Sequence, residues 1–251
     1  MKGKLIFILL VGILFFPSIM FANNLPKDLV YLHDIDPTIL QDIRYFGEHN
    51  FLGRKVRGYD AAQCILTKQA AKALHQVQLE LKKQSLALKV YDCYRPQMAV
   101  DDFINWCHVE GQQQMKDEFY PRLTKEDFLK LGYVASKSGH TRASTVDLTI
   151  VPLPTPAQAD YQVGQKLVAC YAPYAERFRD NGIDMGTGYD CMDELAHPLN
   201  KEVGEKAYQN RMILRSFMLA QGFLPYEQEW WHFTLKDEPY KDTYFNFPIK
   251  G

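Results

Sequence analysis

Two imidazoles and two carboxylates stand out in this chain: His140 and Asp147 flank one short segment, and Glu229 and His232 bound another. The first segment reads Ser138-Gly139-His140-Thr141-Arg142-Ala143-Ser144-Thr145-Val146-Asp147. Val146, Leu148 and Ile150 alternate with Thr145, Asp147 and Thr149, which predicts a strand with Asp147 on its polar face. His140 falls in the glycine-containing loop before that strand. A carboxylate turned inward on a half-buried strand is costly unless it is paired or bound to a metal. The plain alternative is a solvent-facing aspartate beside a loop histidine. In the second segment, Glu229-Trp230-Trp231-His232, the tryptophans would either wall off water and strengthen nearby electrostatics or form an ordinary aromatic core cluster. Glu229 and His232 face opposite sides on a regular strand, so they reach one site only if Glu229 precedes the strand or a bulge turns it.

Together the segments supply two imidazoles and one carboxylate as ligands, plus one unbound carboxylate. That is the inventory of a catalytic zinc site with a position open for water. The metal would lower the water's pKa to roughly 7 and the free carboxylate would take its proton. The commoner HExxH helix is absent. A third segment, Tyr91-Asp92-Cys93-Tyr94-Arg95-Pro96, puts Arg95 between a predicted strand and a predicted helix. Its guanidinium would hold a substrate carboxylate or the charge developing on a scissile carbonyl, or else form a surface ion pair.

The elements that must position these residues are legible as patterns. Ala70, Leu74, Val77 and Leu81 predict an amphipathic helix over 67–85. Leu86, Leu88 and Val90 predict a strand ending near Asp92. Pro96 suits a first helical residue, and Val100, Phe103, Ile104 and Cys107 supply that helix's buried stripe. A helix over 202–221 carries Ala207, Leu214, Phe217 and Met218 inward, with Gly222 as its C-terminal cap. Strands are predicted over 145–150, 223–226 and 230–235. The elements do not alternate as regular βαβ units, which points to an α+β fold with a mainly antiparallel sheet. Repeats and low-complexity linkers are missing, and Pro152-Leu153-Pro154-Thr155-Pro156 reads as a stiff loop inside a domain.

The first residues differ from the rest. Lys2 and Lys4 precede an apolar run from Leu5 to Phe16, and Phe21-Ala22 precedes Asn23-Asn24. This reads as a secretory signal peptide over 1–22, cut after Ala22, leaving one domain over 23–251. The alternative is an uncleaved anchor, for which the run is short, since a bilayer takes roughly 20 residues. After leader removal no stable membrane insertion is expected. The net charge of -1 and the lack of a basic run argue against nucleic acid as a partner. Export to the periplasm or beyond makes disulfides possible, and five cysteines leave at least one thiol free. Spacing does not settle the pairing. Cys64–Cys93 and Cys170–Cys191, with Cys107 buried and free, is the expectation, against the alternative that all are reduced core residues.

Asp92 to Pro96, Ser136 to Ile150, Asp184-Met185-Gly186-Thr187, Glu229 to Leu235, Asp237 to Tyr240 and Tyr244 to Pro248 resemble the D-alanyl-D-alanine dipeptidases of the VanX type. The likeness runs from about Tyr45 to the end. It implies a small zinc-binding α+β domain with the metal in a central cleft, similar to certain D-Ala-D-Ala carboxypeptidases and hedgehog signalling domains. It implies that His140, Asp147 and His232 bind Zn²⁺, that Glu229 is the general base, and that Arg95 stabilises the oxyanion. Ser138 would hold the substrate's carboxylate end, and Asp190 its free ammonium with Tyr59 nearby. The substrate implied is a small D-amino-acid dipeptide; clamping both charged ends selects dipeptides over longer chains. Position 93 departs from the family pattern in being Cys where Gly is common. Residues between Pro156 and Gly182 look like an insertion that would cover the mouth of the site.

Two other readings share parts of this pattern. A zinc carboxypeptidase or endopeptidase acting on longer peptidoglycan stems would use the same metal set without Asp190 as a clamp. A non-catalytic zinc module would need neither Glu229 nor Arg95. His33, His49, His75, His108 and His197 read as surface or packing residues, Lys82-Lys83 as a solvated helix end, and Asp101-Asp102 as an exposed helix face. Nothing in the sequence sets the oligomeric state.

Overall fold

A computed structural model describes residues 25–251, so the expected leader lies outside the described residues. In chain order the elements are β1 (Leu29–Tyr31), α1 (Leu32–Ile35), β2 (Leu40–Gln41), β3 (Ile65–Thr67), α2 (Lys68–Lys82), β4 (Leu86–Asp92), α3 (Gln97–His108), α4 (Lys116–Phe119), α5 (Lys125–Lys130), β5 (Thr145–Pro152), α6 (Glu205–Ala220), β6 (Phe223–Pro225) and β7 (His232–Leu235). The main sheet has the order β2-β4-β5-β7-β6. Its β2–β4 pair is parallel and the other pairs are antiparallel. β1 and β3 form a separate antiparallel pair. The α+β, mainly antiparallel expectation therefore matches the topology.

Thr67 starts α2 by accepting a hydrogen bond from the Ala70 amide at 3.3 Å, one of the amides a helix start leaves unpaired. Ala70, Leu74, Val77 and Leu81 are buried against the sheet as predicted. Each Leu or Val so buried contributes about 1.5–3 kcal/mol relative to exposure. Gln78 is also buried, and its side chain bonds the Thr38 carbonyl and the Leu88 amide. Helix α6 begins at Glu205, after the left-handed Gly204, and stops before Gly222 at φ +82°. Phe51, Phe103, Trp106, Tyr120 and Phe128 lock α3, α4 and α5 together by edge-to-face contacts with centroids 5.0–5.7 Å apart.

Two expectations are corrected here. Strand β5 is buried on both faces from Thr145 to Val151, because its polar face is covered by the site and by the chain after Gly182. His49 is a packing residue, one of the two expected alternatives: it is buried, with Nε2 at 2.8 Å from Glu118 and Nδ1 at 2.9 Å from Arg44. Asp102 is half-buried rather than on an open helix face, and accepts both guanidinium branches of Arg54.

The 156–182 segment is a strap without helix or strand. Its end is tied to the sheet by a buried knot. The Lys89 ammonium meets the Asp180 carbonyl and Asn181 Oδ1, the Tyr91 hydroxyl donates to the Asp180 carboxylate, and Arg44 lies 3.6 Å from the same group. Cys64–Cys93 and Cys170–Cys191 are disulfide-bonded, and Cys107 is free and buried, as expected.

Gly186 sits at φ +83°, and a Cβ there would lie 2.4 Å from the Val203 Cβ. Gly186→Ala therefore meets both backbone strain and a rigid neighbour. It should cost roughly 2–4 kcal/mol, read as a lowered midpoint in chemical denaturation; an unchanged midpoint would refute the close approach.

Candidate metal and substrate site

The sheet register builds the centre of the site. Asp92 on β4 lies opposite Asp147 on β5, and Asp147 lies opposite His232 on β7, so all three side chains leave the same face. An irregularity in β4 around Tyr91 lets Asp92 take this place. Glu229 comes before β7, in a turn whose carbonyl accepts from the His232 amide at 3.3 Å, and so reaches the same face as His232. The strand begins at His232 rather than at Trp230, which resolves the spacing problem.

His140 stands on a 3-10 turn, Gly139–Arg142, immediately before β5. Ser138 caps this turn, its Oγ accepting from the His140 amide at 3.3 Å. The turn lies so close to β5 that a Cβ at Gly139 would be 2.6 Å from Thr145 Oγ1. The Cys93 carbonyl lies 2.7 Å from His140 Nδ1. A carbonyl only accepts, so Nδ1 carries the proton and Nε2 offers a bare lone pair.

That lone pair points at the other two donors. His140 Nε2 is 3.2 Å from Asp147 Oδ1, His232 Nδ1 is 3.1 Å from the same oxygen, and the two ring nitrogens are 3.3 Å apart. Donors at the corners of a tetrahedron about 2.0–2.1 Å from zinc lie about 3.3–3.4 Å from one another, so the triangle is close to the right size. Asp147 Oδ1 is buried and has no hydrogen-bond partner, whereas Oδ2 accepts from the Tyr189 hydroxyl at 3.1 Å. An orphaned carboxylate oxygen facing two ring nitrogens fits a cation. Before any metal binds, burial lowers the His232 imidazole, but the Asp147 and Glu229 carboxylates beside it outweigh this and raise the group to about 9. Burial would raise the Asp147 carboxyl, yet the two histidines hold it well below the usual carboxylate range.

Around the triangle is a cleft of about 240 Å³ that contains every predicted site residue except Tyr59. Glu229 Oε2 lies 3.3 Å from His232 Nδ1. Arg95 is gripped by Asp92, whose Oδ2 is 2.9 Å from both its Nε and an Nη, and lies over the rings of Tyr45 and Phe103 at 5.0 Å. The alternative of a surface ion pair is thereby excluded. Asp190 is buried at φ +55° and accepts from the Tyr45 hydroxyl at 2.7 Å. Burial, then the charge of Asp147, push the Asp190 carboxyl well above its ordinary range.

Tyr59 lies behind this layer: its hydroxyl donates to Asp92 Oδ1 at 2.6 Å and it does not line the cleft. Tyr45 stands beside Asp190 instead. No periodicity marks Tyr45, which sits in a single turn, so only tertiary contact identifies it. Asp92 is also new as a site residue. Trp230 and Trp231 do not wall the cleft; they pack edge-to-face in the core, Trp230 donating to Thr187 and Trp231 against Tyr189. Tyr45, Phe51, Phe103, Tyr133 and Tyr226 supply the aromatic wall, and Gly132 to Ser138 form part of the lining. The 156–182 strap contributes nothing to the cleft, so it does not cover the mouth.

Three convergent donors beside a free carboxylate and a buried guanidinium are the equipment of a metallopeptidase. The sequence profile of the D-Ala-D-Ala dipeptidase family of M15 peptidases matches residues 26–160 and 177–250. The D-alanyl-D-alanine dipeptidases of Enterococcus faecalis and Streptomyces coelicolor are each 36% identical, over 88% of this chain and 97% and 98% of their own lengths. That of Enterococcus faecium is 33% identical over 88% of this chain and 97% of its own. The chain belongs to the D-Ala-D-Ala dipeptidase family and is a peptidase.

If the triangle holds a divalent ion, zinc should raise the thermal midpoint of the protein, because metal affinity adds to folding free energy. In His232→Ala this rise should be lost and bound zinc should fall far below the parent's; a full complement of zinc in the variant would remove His232 from the ligand set.

Proposed function

We propose that the chain is an exported zinc dipeptidase that hydrolyses free D-Ala-D-Ala, with the leader at 1–22 removed and 23–251 forming one catalytic domain. The observation that carries the reading is the triangle of His140 Nε2, Asp147 Oδ1 and His232 Nδ1, with its unpaired buried oxygen, opening on a cleft that ends at Asp190. Zinc bound there would supply a Lewis acid and a more acidic water.

The chain's own residues do the rest. Glu229 holds the proton taken from the attacking water and returns it to the leaving amine. Arg95, oriented by Asp92, is aimed at the charge that develops on the scissile carbonyl oxygen. Ser138 receives the substrate's carboxylate end. Asp190, with Tyr45, receives the free ammonium. A buried carboxyl held up by burial and by Asp147 regains its charge when an ammonium comes beside it, so this end of the cleft favours a free amino terminus. The two disulfides among the described residues suit an oxidising compartment, and no helix among them is long and apolar enough to cross a membrane. Outside the membrane such an enzyme would salvage or trim D-amino-acid peptides.

The rival is a zinc carboxypeptidase or endopeptidase for longer peptidoglycan stems, which has no use for an acid at the amino end. Purified mature protein should release D-alanine from D-Ala-D-Ala, lose this with a chelator, regain it with zinc, and leave N-acetyl-D-Ala-D-Ala intact. Equal cleavage of the acetylated peptide would favour the rival; no release by zinc-loaded protein would turn the test to longer wall peptides, and failure there too would leave a binding module. Glu229→Ala should keep its zinc while kcat falls about 10²–10⁴-fold; a variant of near-parental turnover would exclude Glu229 as the base.

A further inference from the structure

Asp190 occupies a place that physical forces work to empty. Its carboxyl is buried, the residue is left-handed without being glycine, and it shares the cleft with Asp147 and Glu229, whose charges repel it. The Tyr45 hydroxyl is the hydrogen-bond donor the structure shows for it. Something must hold the backbone there.

The neighbour of Asp190 is Cys191, fully buried and bonded to Cys170. Backbone bonds surround that bridge. Gly188 donates to the Cys170 carbonyl at 2.8 Å, Met192 to the Phe119 carbonyl at 2.8 Å, and Cys170 itself to the Glu118 carbonyl at 2.9 Å. Asp190 is thus clamped on both sides against α4 and residue 170. Cys170 lies in the part of the strap, residues 161–176, that the family profile does not match. The clamp is therefore an addition built on a stretch outside the family's shared sequence.

We propose that the Cys170–Cys191 disulfide is a positioning device for substrate selection: it holds Asp190 where it grips the ammonium of a free dipeptide, so that selection of free over N-blocked peptides depends on oxidation of the chain. This rests on the dipeptidase reading above. The strap does not need the bridge to stay attached, since Asp180 and Asn181 are tied to Lys89, Tyr91 and Arg44. Opening the bridge acts locally, on the turn that carries Asp190. The metal triangle lies on β5, β7 and the turn before β5 and includes neither cysteine; the turn that carries Asp190 meets it through the Tyr189 hydroxyl on Asp147 Oδ2.

The test compares parent, Cys170→Ala/Cys191→Ala, Asp190→Asn and the triple variant, all zinc-loaded, on D-Ala-D-Ala and N-acetyl-D-Ala-D-Ala. Losing a charge-assisted contact should raise KM for the free dipeptide about tenfold or more, with kcat within about threefold, zinc content unchanged, and the acetylated peptide cleaved no less than by the parent, which leaves it intact. Because the bridge works through Asp190, Asp190→Asn should add little further in the bridge-free background. A parental KM in the bridge-free variant, or fully additive effects, would overturn the proposal. A parent that does not cleave the free dipeptide overturns the dipeptidase reading and this proposal with it. If the bridge-free variant does not fold, stepwise reduction of the parent replaces it, with each disulfide followed by peptide mapping. KM should then rise with opening of Cys170–Cys191; a rise that follows only Cys64–Cys93 would count against it.

Discussion

Two carboxylates, Asp92 and Asp147, face each other across β4 and β5 with almost no exposure, and the site is arranged around that negative charge. Such a pair does not survive burial unpaired. Arg95 lies against both, 2.9 Å from Asp92 and 3.6 Å from Asp147. Tyr59 donates to Asp92 and Tyr189 to Asp147, while His140 and His232 converge on the remaining oxygen. The Asp92–Arg95 contacts that offset the charge also aim the guanidinium, and the Cys93 carbonyl fixes which His140 nitrogen is free. Removing one partner from such a buried set leaves a charge uncompensated, which costs about 3–5 kcal/mol in comparable cases. Stability and geometry at this centre are one problem.

A second buried polar group lies farther along the same face of β4. Lys89 and Tyr91 point from the strand toward Asp180, with Arg44 and Asp42 beside them, and His49 joins Arg44 to Glu118. Burial favours the uncharged lysine, while Asp180 and Asp42 oppose that loss. The effect is to fasten the strap without a regular element. Tyr91, stacked on Tyr189 at 4.4 Å, links this knot to the residue that bonds Asp147.

The disulfides fall beside two buried acids of the site, Asp92 and Asp190. Cys93 follows Asp92, and its carbonyl fixes the His140 ring; Cys191 follows Asp190. A cross-link next to a strained or charged residue limits the conformations available to it. Both bridges therefore bear on the site while lying outside the cleft.

Much of this was written in local pattern. The period of α2, the alternation of β4 and β5, and the Ser138-to-Asp147 run located the strands and the loop that carry the candidate ligands, because hydrophobic spacing and turn chemistry are local properties. The residue inventory already pointed to His140, Asp147 and His232 as candidate ligands, and resemblance across several segments implied a role for Asp190. What spacing could not supply was register. Whether Asp92, Asp147 and His232 share a face depends on pairing among strands far apart in sequence and on the irregularity at Tyr91. The same holds for Tyr45 against Tyr59: both are buried aromatics, and only packing decides which hydroxyl meets Asp190 and which meets Asp92. The tryptophans beside Glu229 and the strap before Gly182 looked like parts of the cleft because they are near it along the chain. Three-dimensional packing put the first in the core and the second on the site's own face of the sheet but outside the cleft, since nearness in sequence fixes a residue's neighbours along a strand but not what it packs against.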